Sequence, residues 1–580
     1  MFIKGMDISS HMEMMDRGHK YYDFDGNEVD ILDFGKAQGF NYARLRIWNN
    51  PENVKESGGY CNLEYTKQMA KEIKSRDLGF LLDFHYSDYW ADPGQQNKPL
   101  EWKDLTGKAL EDAVHDYTKS VLAALDENGT YPDMVQVGNE IRCGMLWPDG
   151  LTSNWDGLAG LLNAGIRAVR ETQKGWDTKI MLHLDQGGRF YYFREWFDNA
   201  LAHGVTDFDI IGLSYYPFWH GTFNDLKNSM ENLAERYKRP LIVAEMAHAY
   251  RRSRDNMFGE EQERISGFPA GGAAQKQVLE LIMSIAAHVS NGMGMGVFYW
   301  EPFIRPSDEN EDGWGYCMGV VDSEGMPTLG LKAFNTDIMS IDVNKTAKIY
   351  APSDIEIPKG SDISEYLPKT IRTLKYDGRL EREEVIWEPT SVTDTSDTCV
   401  IKGKLSESKE AVELKISFVE KDSQSNLLAN ADLENIFKGL PEDWNIEQEA
   451  KDDSLTLEMR QEISEIPPII PINYIYFKAE SNFKLSISQK TAKLSKGAYS
   501  FSVYYQGDNT TNVKAGIYVK NEQGEALGSK EIFPSADGWT KYSAEFTLEK
   551  DSAVTVAVII DAPAIYGMIK QPSLIPVNQQ

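Results

Sequence analysis

Short apolar segments alternate with helical patterns from the start of the chain to about residue 340. Each apolar segment is a run of aliphatic positions that ends in polar or aromatic residues, which is typical of a buried strand. There are eight of them: FIKGMDIS from Phe2, YARLRIW from Tyr42, GFLLDFHY from Gly79, MVQVGNE from Met134, KIMLHLD from Lys179, DIIGLSYY from Asp209, PLIVAEM from Pro240 and GVFYWEP from Gly296.

The segments between these strands carry a helical period. In one of them Leu110, Val114, Tyr117, Val121 and Leu125 recur at spacings of three and four, the stripe of a helix that packs on a sheet. Eight strand-and-helix units predict the α/β class and a (β/α)8 TIM barrel over residues 1–343. A doubly wound open sheet is the alternative, but no GxGxxG motif follows the first strand.

The pattern changes near residue 345. Short alternating stretches such as TCVIKGKL and AVELKISF replace the helical periods and predict a small β-sandwich over residues 344–422. The polar stretch EKDSQSN leads to more strands, among them FKLSISQK, AYSFSVYY and WTKYSAEFTL, which predict a jelly-roll sandwich over residues 423–580. We therefore expect a TIM barrel followed by two small all-β sandwich domains.

The composition narrows the possible partners. The formal net charge is −29, so we expect no binding of nucleic acid or of anionic membranes. The four cysteines form no CxxC pair, which argues against a zinc ribbon or a redox motif and predicts isolated thiols. The chain contains no apolar run of about 18 residues, so we expect no transmembrane helix. The opening MFIKGMDISS already reads as a strand, so either a leader has been removed or the protein is cytoplasmic.

Polar and aromatic residues gather at the carboxyl ends of the eight predicted strands. They are Asp7, Arg46, Trp48, His85, Asn139, Glu140, His183, Asp185, Tyr215, Tyr216, Glu245, Trp300 and Glu301. Active sites of such barrels form at this end, where the loops after the strands begin. Each residue alone could simply cap its strand, but the whole set predicts one cleft.

Two carboxyl groups in this set suit glycoside hydrolysis. Glu140 ends the fourth predicted strand and Glu245 ends the seventh, each after an aliphatic run that makes a rigid support. A retaining glycosidase needs one carboxyl group as acid/base and a second as nucleophile, about 5–5.5 Å apart. We predict that Glu140 is the acid/base and that Glu245 is the nucleophile.

The neighbouring residues have predicted roles of their own. Asn139 is expected to bind the 2-hydroxyl of the sugar, and Arg46 is expected to keep Glu245 ionised through its positive charge. Tyr216 is expected to donate a hydrogen bond to the same carboxylate.

Three further residues are candidates for sugar contact. His85 and His183 are expected to bind hydroxyl groups or to orient their neighbours, and Trp300 offers a flat face to the sugar ring. The alternative for each of these assistants is a strand-end residue whose hydrogen bonds are satisfied locally.

These residues lie in segments that resemble glycoside hydrolase family 53, the arabinogalactan endo-β-1,4-galactanases. The resemblance rests on KGMDISS, YYDFDGNEVDILDFGKAQGFNYARLRIWNNP, LLDFHYSDYWADPGQQNKP, VQVGNEI, IIGLSYYPFWHG and GVFYWEP, in this order. It implies a clan-A barrel, retaining chemistry and endo cleavage of the β-1,4-galactan side chains of pectic type I arabinogalactan. It also implies Glu140 as acid/base and Glu245 as nucleophile.

The same resemblance implies assisting roles for five residues, namely Arg46, His85, Asn139, Tyr216 and Trp300. We predict that these five bind the substrate together with Asn49, His183 and Trp219. The substrate would be a polysaccharide, and we expect a monomer. Sandwich modules attached to such an enzyme favour an extracellular or cell-surface location.

The resemblance raises the question of a calcium site, because bacterial members of the family often bind calcium in the loop after the nucleophile. Here this loop reads MAHAYRRSRDNMFGE, in which arginines leave Asp255 and Glu260 apart. Calcium requires six to eight oxygen ligands, so we predict no metal and no cofactor. A second acidic cluster, Asp308, Glu309, Glu311 and Asp312, is expected to be a solvated loop.

Two alternatives to a galactanase stay open. One is another clan-A β-glycanase, such as a mannanase or a xylanase, and the other is a glycan-binding protein on an inactive barrel. The segment DIEIPKGSDISEYLPKTIRTLKYDG followed by VIWEP resembles a bacterial immunoglobulin-like domain, and the last module resembles carbohydrate-binding jelly rolls. Tyr504 and Tyr505 are its candidate exposed aromatic residues, with a place in the core as the alternative.

Overall fold

The computed structural model describes residues 2–577 except 256, 307–311, 351–354, 360–362, 366, 389–397, 420–425, 434–435, 438–439, 451–454, 464–470, 480, 509–512, 534 and 537. The acidic cluster at 308, 309 and 311 and most of the EKDSQSN stretch lie outside the described residues. The described residues form two compact units, residues 1–350 with 372–381 and residues 351–371 with 382–580.

Eight parallel strands close into a barrel in the first unit. They are β1 (Ile3–Asp7), β2 (Tyr42–Ile47), β3 (Gly79–Phe84), β4 (Met134–Val137), β5 (Lys179–Leu184), β6 (Ile210–Ser214), β7 (Leu241–Met246) and β8 (Gly294–Tyr299). Each strand pairs with the next in the sequence, and β8 pairs with β1. All eight predicted strands and the TIM-barrel prediction are confirmed.

Helices follow the barrel strands along the chain. The α-helices are α1 (His11–Asp16), α2 (Ile31–Ala37), α3 (Leu63–Ser75), α4 (Gly107–Glu127), α5 (Trp155–Arg170), α6 (Phe190–Ala202), α7 (Phe223–Tyr237), α8 (Glu260–Ser266), α9 (Gly272–Ala287) and α10 (Trp314–Cys317). The predicted stripe on α4 is largely confirmed, since Leu110, Val114, Val121 and Leu125 are buried. None of the described helices is long and apolar enough to cross a membrane.

The short elements of this unit are 3₁₀ helices and one small hairpin. The 3₁₀ helices span Pro51–Asn53, Lys55–Ser57, Leu100–Trp102, Ile141–Cys143, Ser290–Gly292, Leu329–Asn335 and Ile338–Ser340. Two-residue strands at Gly144–Met145 and Gly150–Leu151 pair antiparallel.

The barrel interior is apolar at one end and polar at the other. Side chains from seven of the eight strands form the apolar cluster: Ile3, Leu81, Met134, Met181, Ile210, Ile242, Ala244 and Phe298. One inward position further along the strands, charged and polar side chains replace them, as Arg44 does on β2 and Asp83 on β3. The pleat explains this arrangement, because alternate residues of a strand point to the same face. The polar layer lies at the carboxyl ends of the strands.

The rest of the chain is all-β, as predicted. Its strands are β9 (Thr346–Tyr350), β10 (Ile355–Pro358), β11 (Thr370–Lys375), β12 (Leu380–Trp387), β13 (Thr398–Leu405), β14 (Ala411–Val419), β15 (Asn445–Ala450), β16 (Thr456–Ile463), β17 (Pro471–Lys478), β18 (Phe483–Lys490), β19 (Gly497–Gly507), β20 (Lys514–Lys520), β21 (Ala526–Ile532), β22 (Thr540–Leu548), β23 (Thr555–Ala562) and β24 (Tyr566–Pro576). A 3₁₀ helix at Ile363–Glu365 and two-residue strands at Ile436–Phe437 and Leu440–Pro441 complete the elements.

The last ten strands form a sandwich of two five-stranded sheets. One sheet has the order β15-β18-β23-β20-β21 and the other has the order β16-β17-β24-β19-β22. Alternate residues of both sheets fill one core, which includes Phe477, Phe501, Ile517 and Val558. The predicted domain boundaries at 344 and 423 stay predictions.

Candidate active site

Glu140 is held in an unusual backbone conformation directly after β4. Gly138 has a φ of +83°, and a Cβ atom there would lie 2.7 Å from the side chain of Ile141, so this position requires glycine. Glu140 itself has a φ of 47°. Such a conformation costs about 1–2 kcal/mol in a residue other than glycine and needs support from its surroundings. Part of that support is Trp196, whose Nε1 donates to the carbonyl oxygen of Ile141 at 2.9 Å.

Glu245 lies within β7 and is buried. Its Oε1 accepts a hydrogen bond from Nη1 of Arg44 at 2.9 Å, and its Oε2 accepts one from the hydroxyl of Tyr216 at 2.9 Å. The hydrogen bond that we expected from Tyr216 is therefore present. Both oxygens of this carboxylate have a fixed donor, which holds the group in one orientation.

The two carboxyl groups face each other closely. A carboxylate oxygen of Glu140 and one of Glu245 lie within 4.8 Å of each other. Retaining glycosidases place their carboxyl groups about 5–5.5 Å apart, whereas inverting enzymes need about 6.5–9.5 Å to accommodate a water molecule. The short separation matches the retaining arrangement.

Arg44 joins several acidic groups under this pair. Its Nη1 donates to Asp7 at 3.1 Å as well as to Glu245, and its Nη2 donates to Asp83 at 2.8 Å and to Asn139 at 2.9 Å. The side chain is only 1% exposed. One guanidinium group thus supports three buried carboxylates, which would otherwise repel one another.

The prediction that Arg46 lies beside Glu245 is wrong, because Arg44 holds that place. Arg46 is one inward position further along β2, where its Nη1 donates to Glu301 at 2.5 Å and its Nη2 to Ser10 at 2.9 Å. Its guanidinium carbon lies 4.2 Å from the ring centre of Trp90. The two-residue step along the strand explains the difference, since it moves the side chain toward the loops.

Asn139 and His183 meet in the polar layer behind Glu140. The Oδ1 of Asn139 lies 3.0 Å from Nδ1 of His183, and its Nδ2 donates to the carbonyl oxygen of Ala91 at 2.8 Å. The Nε2 of His183 lies 2.9 Å from Oγ of Ser214, whose hydroxyl is 2.5 Å from Oε1 of Glu140. Ser214 therefore links His183 to Glu140 by hydrogen bonds.

His85 and Asn49 occupy different surroundings. The Nδ1 of His85 accepts hydrogen bonds from Trp48 at 3.2 Å and from the backbone of Ala91 at 3.1 Å, and its Nε2 lies 3.2 Å from Asp83. Asn49 instead borders a cavity of about 380 Å³ together with Trp102 and Tyr117, among other residues. The Oδ1 of Asn49 is buried and has no hydrogen-bond partner among the described residues.

Aromatic rings line one side of the carboxyl pair. Trp300 lies between Trp314 and Trp90, with ring centres at 4.6 and 5.9 Å. Trp314 also contacts Tyr216 at 5.4 Å and Trp219 at 6.2 Å. Trp219 is 43% exposed, so it is the accessible end of this row. Of the predicted aromatic residues, Tyr216, Trp219 and Trp300 are thus brought together.

The two carboxyl groups differ in their electrostatic surroundings. Burial, the charge of Glu245 and the charge of Asp185 raise the pKa of Glu140 well above its usual range. Burial also raises the pKa of Glu245, but Arg44 and the hydrogen bond from Tyr216 oppose this shift. Glu140 therefore keeps its proton to a higher pH than Glu245, as an acid and a nucleophile require.

Within the described part of the chain, one group of side chains has the spacing of a metal site. It consists of Glu140, His183 and Glu245, whose ligand atoms lie within 4.8 Å of one another. The guanidinium group of Arg44 is buried, donates to Glu245 and would repel a cation at this place through its positive charge. This charge favours a hydrolytic carboxyl pair over a metal centre.

Two arginines of the loop after β7 pair with acidic side chains, of which two lie in α8 and one lies in the segment after β8. Arg252 pairs with Glu260 at 2.9 Å and with Glu263 at 2.7 Å, and Arg254 pairs with Asp312 at 3.2 Å. These carboxylates already have cationic partners.

Several residues near the carboxyl pair were missed by the sequence reasoning. They are Arg44, Asp83, Gln136, Ser214 and Arg142, of which Arg142 donates to Asp185 at 2.7 Å. One signal was available for Arg44, because a residue two positions before Arg46 on a strand must share its face. Ser214 gave no signal, since a serine at a strand end is common.

A closed parallel barrel with two carboxyl groups this close, one after β4 and one in β7, defines the class of barrel glycoside hydrolases. The family model named Glycosyl hydrolase family 53 matches residues 3–334, more than half of the chain, and the chain belongs to this family. Enzymes of this family generally need no cofactor.

Related proteins agree with this assignment. The endo-β-1,4-galactanase of Bacillus subtilis (strain 168) is 33% identical over 314 residues, which cover 53% of this chain and 71% of that protein. The arabinogalactan endo-β-1,4-galactanase of Thermothelomyces thermophilus is 34% identical over 305 residues, 52% of this chain and 89% of that protein. The solved GH53 catalytic domain of Ignisphaera aggregans has a TM-score of 0.54 and 35% identity, covering 57% of this chain and 95% of that one.

Proposed function

We propose that this chain is a retaining endo-β-1,4-galactanase that acts on the galactan side chains of type I arabinogalactan. The observation that carries the proposal is the pair of carboxyl groups within 4.8 Å, one of which has a much raised pKa. Membership of the family and the printed activities of its relatives support galactan as the substrate.

The reaction would proceed in two steps. In the first step Glu245 attacks the anomeric carbon while Glu140 gives its proton to the departing glycosidic oxygen, so that a C–O bond forms to the enzyme and another breaks. In the second step Glu140 takes a proton from water, and this water replaces Glu245 at the same carbon. Inversion at each step restores the original configuration.

The neighbours of the pair would assist these steps. Asn139 would bind the 2-hydroxyl of the sugar, and Tyr216 and Arg44 would favour the ionised form of the nucleophile by lowering its pKa. His85, His183 and Arg46 support the side chains around them. Trp300 and Trp219 offer flat apolar faces, on which the C–H groups of a pyranose ring can pack.

Digestion of linear β-1,4-galactan tests the activity. We expect a fast loss of viscosity relative to the number of reducing ends, because an endo enzyme cuts within the chain. The matched substrates are β-1,4-mannan and β-1,4-xylan. Reducing ends from either of these but not from galactan would reject the substrate, in favour of another clan-A β-glycanase.

The variant Glu245→Gln tests the nucleophile. It removes the attacking charge with almost no change in volume, so turnover should fall by several orders of magnitude while galactan still binds. Turnover at the wild-type rate would rule out Glu245, and binding without any hydrolysis by the wild type would identify a glycan-binding barrel.

We further propose that the last sandwich binds galactan through one sheet. On the outer face of the sheet β16-β17-β24-β19-β22, five residues lie in register across all five strands: Arg460, Tyr474, Lys570, Tyr504 and Lys541. Trp539 packs edge-on against Tyr474 at 5.8 Å. Lys570 is only 7% exposed and its Nζ lies 4.0 Å from the ring centre of Trp539, so it supports that ring. Rings for stacking and the exposed cation of Lys541, which can donate to hydroxyl groups, suit a sugar chain. Tyr505, the second aromatic candidate from the sequence, is a core residue with 1% exposure.

Migration of the full chain through gels that contain galactan tests this binding face. Trp539→Ala in the Glu245→Gln background should reduce retention, because a stacking ring is lost. Tyr518→Ala is the matched control, since Tyr518 is half-buried on the other sheet. Equal retention of both variants would reject the face as the binding site.

Three properties complete the proposal. We infer a monomer in solution, an extracellular or cell-surface location where the polysaccharide is found, and hydrolysis without calcium in the loop after β7. The arginine pairs of that loop support the last point. Light scattering on the purified chain and activity after treatment with a chelator test the first and the last.

A further inference from the structure

Arg142 lies at the mouth of the barrel, two residues after Glu140. Its Nε donates to Oδ1 of Asp185 at 2.7 Å, and its guanidinium carbon lies 4.8 Å from the ring centre of Tyr192. Asp185 directly follows β5, and Tyr192 lies in the first turn of α6. These two contacts fix the guanidinium group in one place, although the side chain of Arg142 stays 24% exposed.

The two terminal nitrogens of this guanidinium group are available to a ligand. Among the residues that the structure describes, neither Nη1 nor Nη2 of Arg142 has a hydrogen-bond partner, and both are open to solvent. A guanidinium group has only donors, and these are held in a planar fork. Its ligand must therefore supply oxygen atoms that accept hydrogen bonds.

Glu140 and Glu245 divide the barrel mouth into two arcs. The first arc runs from β7 through β8, β1, β2 and β3 to β4, and it carries Trp300 after β8. The second arc runs from β4 through β5 and β6 to β7, and it carries Arg142 after β4 and Asp185 after β5. A sugar chain that is cut between the two carboxyl groups extends from them in both directions, so its two halves lie over different arcs.

The departing half of the substrate belongs over the second arc. Trp300, on the first arc, has the proposed role of packing against the ring that becomes attached to Glu245. The carboxyl group of Glu140 leans over the second arc, because its Oε1 is 2.5 Å from Oγ of Ser214 at the end of β6. This group protonates the departing oxygen. The sugar that leaves with this oxygen then lies beside the acid, over the loops that carry Arg142.

We propose that Arg142 forms a subsite for the departing sugar and donates from Nη1 and Nη2 to two of its hydroxyl oxygens. The inference rests on the proposed galactanase activity. In β-1,4-galactan, the 4-oxygen of the departing residue is the atom that Glu140 protonates, so the neighbouring 2- and 3-hydroxyls remain for the fork. The same subsite binds an acceptor sugar when it replaces water in the second step. The 4-hydroxyl of the acceptor gives its proton to Glu140, and its oxygen bonds to the anomeric carbon as the bond to Glu245 breaks.

Competition between two acceptors tests the subsite in the full chain. A dinitrophenyl galactobioside forms the covalent intermediate without help from the acid, and added galactobiose or methanol then takes the galactobiosyl group. Galactobiose needs the subsite, whereas methanol is too small to fill it. Both acceptors react with the same intermediate and the same base, so the initial ratio of galactotetraose to methyl galactobioside reports acceptor binding. In Arg142→Met this ratio should fall about 10-fold, because a hydrogen bond from a charged group is lost.

Arg236→Met is the matched control. Arg236 also pairs with an aspartate, Asp198, at 2.6 Å and also lies over a tyrosine, Tyr237, at 5.8 Å. It is in the last turn of α7, before β7 begins, and thus at the opposite end of the barrel from the carboxyl pair. Its replacement should leave the ratio at the wild-type value. An equal fall in both variants, or an unchanged ratio in Arg142→Met, would overturn the subsite.

Arg142→Lys separates the subsite from a purely structural role. Lysine keeps the positive charge and can still pair with Asp185, but it lacks the planar fork. The ratio should stay low in this variant. A wild-type ratio would overturn the proposal, because a cationic partner for Asp185 would then suffice.

The wild type distinguishes a failure of the subsite from a failure of the proposed function. If it releases no dinitrophenolate, the galactanase activity is rejected together with the subsite. If it releases dinitrophenolate and forms methyl galactobioside but no galactotetraose, only the subsite is rejected. Because each ratio is taken within one sample, a smaller folded fraction in a variant does not change it.

Discussion

Nη1 of Arg44 donates to Oε1 of Glu245 at 2.9 Å. Arg44 lies on β2 two residues before Arg46, the arginine that the sequence analysis had assigned to this contact. The same guanidinium group contacts Asp7, Asp83 and Asn139. The nucleophile candidate therefore belongs to a buried ionic cluster and does not depend on a single partner. Arg44, a residue of β2, both orients the carboxylate of Glu245 and favours its ionised form.

Replacing Arg44 should affect stability and activity together. Arg44→Met removes the cation that three buried carboxylates share, and breaking a buried ion pair in this way costs about 3–5 kcal/mol of unfolding free energy. Arg46→Met should leave the contacts of Glu245 intact and keep more activity per folded molecule. Urea unfolding and kcat on galactan measure both effects. Equal losses of kcat in the two variants would contradict the assignment of Arg44 to Glu245.

Tyr216→Phe should weaken the nucleophile. A hydrogen bond to a charged group contributes about 1.5–3 kcal/mol, so kcat/KM should fall by roughly 10- to 10²-fold. The bond to Tyr216 lowers the pKa of Glu245, and its loss raises that pKa. Because the nucleophile must be ionised, the acidic limb of the kcat/KM profile should move to higher pH.

Tyr215→Phe is the control for this change. Tyr215 is the preceding residue and is also buried, but its hydroxyl donates to the carbonyl oxygen of Gly221. Its removal should leave the acidic limb in place. A limb that moves equally in both variants would mean that the shift does not come from the bond to Glu245.

Asp185→Asn should move the basic limb of the pH profile of kcat/KM. The negative charge of Asp185 helps to raise the pKa of Glu140. Without it, and with Arg142 left unpaired, that pKa falls, so the acid loses its proton earlier and the basic limb of kcat/KM moves to lower pH. Asp156→Asn is the control variant, because it makes the same substitution at an aspartate whose side chain is 97% exposed. A basic limb that stays in place would show that Asp185 has no electrostatic effect on Glu140.

The sequence predicts the framework of this site better than its contacts. The eight strands and the two glutamates follow from aliphatic runs and strand ends, since these features are local. The partner of Glu245 depends on which inward position of β2 meets β7, and that relation is set by the closure of the barrel. Arg44 and Arg46 share one face of one strand, so local pattern alone could not separate them.

Tyr505 shows a pattern that the sequence contains and that the prediction did not use. Tyr504 and Tyr505 are adjacent, and on a strand one of them must face the core. Tyr505 is in phase with the apolar Tyr499, Phe501 and Val503, whereas Tyr504 is in phase with Ser500 and Ser502, so the alternation of the strand indicates that Tyr505 is the core residue. The register of β19 places Tyr505 inside and Tyr504 outside.

Azide should separate the roles of the two glutamates. In Glu245→Gly, a small anion can occupy the space of the lost nucleophile and attack from the same face, which forms an α-galactosyl azide in one inverting step. In Glu140→Ala, the covalent intermediate still forms from a dinitrophenyl galactobioside, and azide then attacks it without needing a base. The product is a β-galactosyl azide, after two inversions. Proton NMR of the anomeric signal distinguishes the two products. The same azide anomer from both variants would contradict the assignment of Glu140 as acid/base and Glu245 as nucleophile.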